Sequence, residues 1–145
     1  MRILVTGAGG QLGYDVCREL AARGSDHCGA DRQDFDITDL ESTHEYIREY
    51  HPDAVIHCAA YTKVDRAERM PEKSWAINGT GTENVARVCR ETGVKLLYLS
   101  TDYVFDGGKE GFYEIDTPTG PLNVYGKSKL AGELSIQRLL DRAFI

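Results

Sequence analysis

The stretch "LNVYGKSKLAGE" (122–133) holds a tyrosine and a lysine four residues apart, Tyr125 and Lys129. On a helix, residues at that spacing share one face. A free tyrosine loses its proton near a pKa of about 10, too high for easy exchange at neutral pH. A neighbouring ammonium would stabilise the phenolate and lower that value, making Tyr125 a usable acid or base. The stretch "LSTDYVFDG" adds hydroxyls at Ser100 and Thr101. Thr101 is suited to hydrogen-bond and position a substrate oxygen. A hydroxyl, a tyrosine and a lysine together suit proton delivery to a carbonyl while a nicotinamide cofactor exchanges a hydride. The bland alternative for Tyr125 and Lys129 is a solvated helix start.

A second group of residues suits a dinucleotide. "TGAGGQLG" places Gly7, Gly10 and Gly13 in a G-x-x-G-x-x-G pattern. The stricter G-x-G-x-x-G is not met, because Leu12 occupies its third glycine position. Small residues allow a tight turn and close approach of backbone to a diphosphate, and the next helix offers unpaired N–H groups and a positive dipole end. The position between a first strand and a first helix makes the loop informative. Asp31, 18 residues beyond Gly13, suits an adenosine ribose, and Arg32 beside it suits a 2′-phosphate. Asp36 and Ile37 are candidates for the adenine edge. Ala59 and Ala60, small residues at a strand end, permit close approach of a ligand.

These residues need a scaffold that brings them to one edge. "RILVT" (2–6) reads as a buried strand, and 11–23 as a helix stopped by Gly24. A weak strand follows at 26–31. Thr38 is the expected cap of a helix from Asp39 to Tyr50, with Glu41 supplying an acidic first-turn residue and Pro52 ending it. Residues 54–60 read as a third strand, 71–92 as a long helix closed by Gly93, and 95–101 as a fourth strand. Residues 102–121 read as a loop, 122–141 as a helix, and 143–145 as the opening of another strand. Alternating strands and helices predict an α/β fold, a Rossmann-like doubly wound parallel sheet with helices on both faces. Ligands bind such sheets at the C-terminal ends of the strands. Ending as a strand begins suggests a truncated domain.

Composition narrows the function. The 145 residues are 41% hydrophobic and 28% charged, an ordinary globular balance. The formal net charge of −6 disfavours non-specific nucleic-acid binding. No apolar run suits a membrane span, and "MRILVTG" lacks signal-peptide architecture, so a cytoplasmic setting is expected. Cys17, Cys28, Cys58 and Cys89 have no metal-site spacing and are expected as reduced thiols. The four histidines show no ligand pattern, so no metal site is assigned.

The chain resembles the extended short-chain dehydrogenases/reductases, and within them the dTDP-4-dehydrorhamnose reductase family. The matching stretches are "ILVTGAGGQLG", "DITD", "PDAVIHCAAYTKVDRAE", "AINGTGTENVA", "LSTDYVFDG" and "NVYGKSKLAGE". The resemblance implies reduction of the C4 keto group of dTDP-4-dehydro-β-L-rhamnose by NADPH or NADH, a step in nucleotide-sugar supply for polysaccharide. It implies Tyr125 as proton donor, Lys129 as the residue that binds the nicotinamide ribose and tunes the tyrosine, and Thr101 with Asp102 at the substrate. It adds Gln11, Leu12, Cys58 and Leu99 to the cofactor contacts. It further implies that residues 1–145 are the NAD(P)-binding domain, that a smaller C-terminal substrate domain lies beyond them, and that the full-length protein forms a homodimer. This chain has His57 where relatives often carry asparagine, and a structural role is expected for it. Two alternatives stay open: another nucleotide-sugar epimerase or dehydratase, and a non-catalytic regulatory subunit on the same fold, similar to the methionine adenosyltransferase β subunit.

Overall fold

A computed structural model describes all residues, 1–145. Four short strands, β1 (Ile3–Thr6), β2 (His27–Ala30), β3 (Ala54–His57) and β4 (Lys95–Tyr98), form one sheet in the order β2-β1-β3-β4. Every pairing is parallel, and β1 lies in the middle with Ile3 opposite both His27 and Ala54. The sheet is built outward in two directions from β1 and β3. Their C-terminal ends therefore flank a crevice, the place where such sheets take ligands. The expected opening strand at 143–145 is realised as a parallel bridge between Phe144 and Leu97 outside β4.

The helices are α1 (Gln11–Ala22), α2 (Leu40–Tyr50), α3 (Val64–Arg69), α4 (Pro71–Ser74), α5 (Thr82–Thr92) and α6 (Val124–Leu139). α1 packs on β1 and β2, whereas α2, α5 and α6 pack side by side. Leu4, Val55 and Leu96 from successive strands meet Ile47, Val85, Val88 and Ile136 from that helical layer. Each such aliphatic side chain, essentially removed from water, contributes about 1.5–3 kcal/mol.

Several expected boundaries move, each for a local reason. Thr38 does not cap α2, because its hydroxyl is spent on Asp36 Oδ1 at 2.8 Å. Asp39 caps instead, accepting from the N–H groups of Glu41 and Ser42 at 2.9 and 3.4 Å. β3 stops at His57 rather than residue 60, since the Ala59 N–H turns to the Thr6 hydroxyl at 3.4 Å. β4 likewise stops at Tyr98. The helix expected over 71–92 is a composite: α4, a π-helical segment Trp75–Gly81, then α5. The π segment coincides with Asn78, whose side chain bonds the Tyr61 N–H and carbonyl at 2.8 and 3.1 Å. The sequence pattern does not announce α3, because "VDRAER" is too short and too charged to show a period. α6 starts at Val124 because Asn123 caps it, accepting from the Gly126 N–H at 2.7 Å. The loop 102–121 contains one 3₁₀ turn, Asp102–Val104.

Candidate active site

The crevice between β1 and β3 holds a cleft of about 580 Å³. Gly7, Gly10, Asp31, Arg32, Asp36, Ile37, Cys58, Ala59 and Ala60 all line it. Gly7 turns the chain out of β1 with φ +69°, and a Cβ there would stand 2.7 Å from the Ala59 backbone nitrogen. Only glycine combines that conformation with that approach. Gly13 is buried, and a side chain on it would strike the Gly7 carbonyl. Gly10 precedes α1 without a side-chain cap, and the first turn carries no acidic residue. The N–H groups of Gln11, Leu12 and Gly13 therefore begin a 12-residue helix without an intrahelical partner. That arrangement fits a diphosphate, and the volume lies in the range of small-molecule sites. Gln11 and Leu12 are exposed at this helix start and do not line the cleft.

Asp31 is already engaged with the loop. Its carboxylate accepts from the Gly9 N–H at 3.2 Å and the Arg32 N–H at 2.9 Å. This fixes an anion at the glycine turn, with Arg32 alongside. The Asp36 carboxylate accepts from the Thr38 N–H and hydroxyl, and these bonds hold its pKa below the ordinary value. Asp36 thus shapes the turn, with Ile37 as its apolar neighbour. The opposite wall comes from Lys73, Ala76 and Ile77. Sequence reasoning missed these residues: Lys73 lies on the short α4, and Ala76 and Ile77 lie on the π segment, neither of which the sequence pattern separates from one long helix.

The second group gathers at the exit of β4. Tyr125 and Lys129 are both buried on α6, at 8% and 2% exposure. Gly126 lets α6 approach this exit, since a Cβ on it would overlap the Tyr103 carbonyl. Lys129 Nζ donates to the Leu99 carbonyl at 2.5 Å and sits 4.0 Å from the centre of the Tyr98 ring. Burial brings its pKa down to about 8, against the opposing charge of Glu133. The expected depression of Tyr125 by Lys129 is not what the structure shows. Burial raises the Tyr125 pKa, the Thr101 hydroxyl pulls it back, and Asp102 and Tyr103 add to the rise. The ammonium is held on the Leu99 carbonyl and the Tyr98 ring face, and Lys129 is not among the groups that move the Tyr125 phenol. Thr101 Oγ1 donates to Asp102 Oδ1 at 3.1 Å and accepts from the Tyr103 N–H at 3.3 Å. Thr101, Asp102, Leu99, Tyr125 and Lys129 lie outside the lining of the main cleft. Cys58 connects the two regions: it lines the cleft, and the nearby Lys129 charge partly offsets the rise that burial imposes on its thiol.

His57 is structural, as expected. Its ring is completely buried, with Nδ1 2.7 Å from Thr6 Oγ1 and Nε2 3.2 Å from Thr82 Oγ1. Desolvation, helped by Lys129, lowers its pKa to about 3. The four cysteines are free thiols, and burial pushes Cys58 up to about 11 and Cys89 to about 12. No three histidine, cysteine or acidic side chains gather into a metal-holding group, and no helix is long and apolar enough to cross a membrane.

Comparison with known proteins agrees with this geometry. The dTDP-4-dehydrorhamnose reductase of Mycobacterium tuberculosis is 44% identical over 148 residues, covering 99% of this chain and 48% of that protein. The crystal structure of the Clostridium acetobutylicum dTDP-4-dehydrorhamnose reductase superposes with a TM-score of 0.95 at 36% identity, covering 99% of this chain and 51% of the other. The Bacillus anthracis dTDP-4-dehydrorhamnose reductase, crystallised in complex with NADP, gives a TM-score of 0.95 at 41% identity, covering 99% and 51%. The chain thus spans about half the length of the relatives it matches. The model of the RmlD substrate binding domain matches residues 1–145 without a break, and the chain belongs to that family.

Proposed function

We propose that residues 1–145 form the NAD(P)-binding part of a dTDP-4-dehydrorhamnose reductase, which reduces the C4 keto group of dTDP-4-dehydro-β-L-rhamnose with NADPH or NADH. The observation that carries this reading is the convergence of Thr101, Tyr125 and Lys129 at the β4 exit, beside a cleft built on the glycine loop. The likeness to reductases, one of them crystallised with NADP, supports it. When bound, the nicotinamide supplies the hydride. The chain's own residues do the rest. The α1 N-terminus and Gly7–Gly13 hold the diphosphate, and Asp31 and Arg32 meet the adenosine ribose. Tyr125, with its pKa raised by burial, keeps its proton at neutral pH and so suits donation to a carbonyl oxygen that gains charge. Thr101 orients that oxygen. Lys129, fixed on Leu99, offers a buried positive charge next to the nicotinamide end.

The test is Tyr125→Phe in the intact protein. Turnover of the keto sugar nucleotide should fall by roughly 10² to 10⁴, the usual span for a lost general acid. NADPH affinity, measured by fluorescence titration, should hold. Lys129→Met should damage both turnover and affinity. A Tyr125→Phe protein with wild-type kcat would remove Tyr125 from the chemistry.

A further inference from the structure

The segment leaving β4 touches α6 at three successive levels. Thr101 faces Tyr125, the Leu99 carbonyl accepts from Lys129 Nζ, and the Ser100 hydroxyl donates to Glu133 Oε1. On α6 these partners fall four residues apart, one turn each, along a single face. The first two levels are the proton donor and its lysine. The third, Glu133, has no part in the function proposed above.

Lys129 makes no ion pair within salt-bridge distance. A nearly inaccessible ammonium resting on one carbonyl and one ring is expensive to keep charged. The groups that face it are few. Tyr98 lies under it from β4, His57 and Cys58 come from the end of β3, and Tyr125 and Glu133 flank it on α6. His57 is held neutral by burial, and the phenols and the Cys58 thiol keep their protons at neutral pH. Glu133 is therefore the one carboxylate able to balance Lys129 electrostatically. It is half-buried, and the Ser100 hydroxyl restrains it.

We propose that Glu133 is a positioning residue of this centre: its carboxylate, clipped by Ser100, keeps Lys129 protonated and holds the Leu99–Thr101 segment against α6. This rests on the reading of Tyr125 and Lys129 given above. Glu133 touches neither of the reacting groups and acts through Lys129 and Ser100.

The test compares wild type, Glu133→Gln, Glu133→Asp and Ser100→Ala in the intact protein labelled with ¹³C-lysine. The Cε resonance of Lys129 is followed against pH, with no substrate or cofactor present. Glu133→Gln keeps an acceptor for Ser100 but removes the charge. It should move the Lys129 titration to lower pH by roughly half a unit or more. Glu133→Asp, which keeps the charge one methylene back, should move it less. Ser100→Ala should shift it in the same direction by loosening the carboxylate. The alkaline limb of kcat/KM should follow the Lys129 titration in each variant. An unshifted titration in Glu133→Gln, or an alkaline limb that ignores a shifted one, overturns the proposal. Failure of the underlying reading would look different: Lys129→Met would turn over normally.

Discussion

Burying His57 should make the protein acid-sensitive in a way that one substitution removes. In the folded chain its pKa is lowered to about 3, from 6.5 for a free ring. Between those values the unfolded chain binds a proton that the folded chain refuses. Stability therefore rises with pH through this window and is lost on acidification below about 6.5. A pH of 4.5 lies two units below the pKa of the unfolded ring, which is worth about 3 kcal/mol. The ceiling, reached below pH 3, is about 5 kcal/mol. Glutamine at position 57 does not titrate, and its amide can still engage a Thr6 or Thr82 hydroxyl. Urea unfolding of wild type and His57→Gln at pH 7.5 and 4.5 isolates the effect, because losses from protonating Asp36 and Glu83 are common to both. The variant should start less stable and lose about 2–3 kcal/mol less on acidification. Equal losses in the two proteins would refute the assignment of a neutral, proton-refusing His57.

Two further outcomes follow from the cleft. Gly10→Val puts a branched side chain where the backbone meets a diphosphate, with its Cβ already 3.2 Å from the Gly7 carbonyl; NADPH affinity should fall at least about tenfold in a protein that still folds by circular dichroism, roughly the loss of one good hydrogen bond to a charged group. Asp31→Ala should shift preference towards NADPH by removing carboxylate–phosphate repulsion, measured as the ratio of kcat/KM for the two cofactors; a gain for NADH instead would place Asp31 away from the ribose.

The legible parts of this molecule are those written in neighbouring residues. The glycine loop, its place between β1 and α1, and the shared face of Tyr125 and Lys129 all depend on spacing of a few positions. So do the stops at Gly24, Pro52 and Gly93. Features hidden in the sequence depend on partners distant along the chain. The shared face of Tyr125 and Lys129 predicts an effect of the lysine on the phenol, but burial dominates Tyr125, and Lys129 settles on the Leu99 carbonyl and the Tyr98 ring. Nothing near Glu133 announces Ser100. Ala76 and Ile77 reach the cleft wall from a π turn that accompanies the Asn78 bonds to Tyr61, with Lys73 from α4 beside them. Even Thr38 and Asp39, adjacent and both good caps, were told apart only by which oxygen Asp36 claims.

The central place of β1 has a consequence for synthesis on the ribosome. Its neighbour on one side, β3, lies 51 residues later, by the pairing of Ile3 with Ala54. At about 5–20 residues per second, roughly 3–10 seconds pass before that partner has even been polymerised. Through that interval Leu4 and Val5, fully enclosed in the finished sheet, have at most β2 to pair with. The nascent chain thus carries its most apolar strand half-partnered for seconds, and that is the interval in which a chaperone would have most to protect.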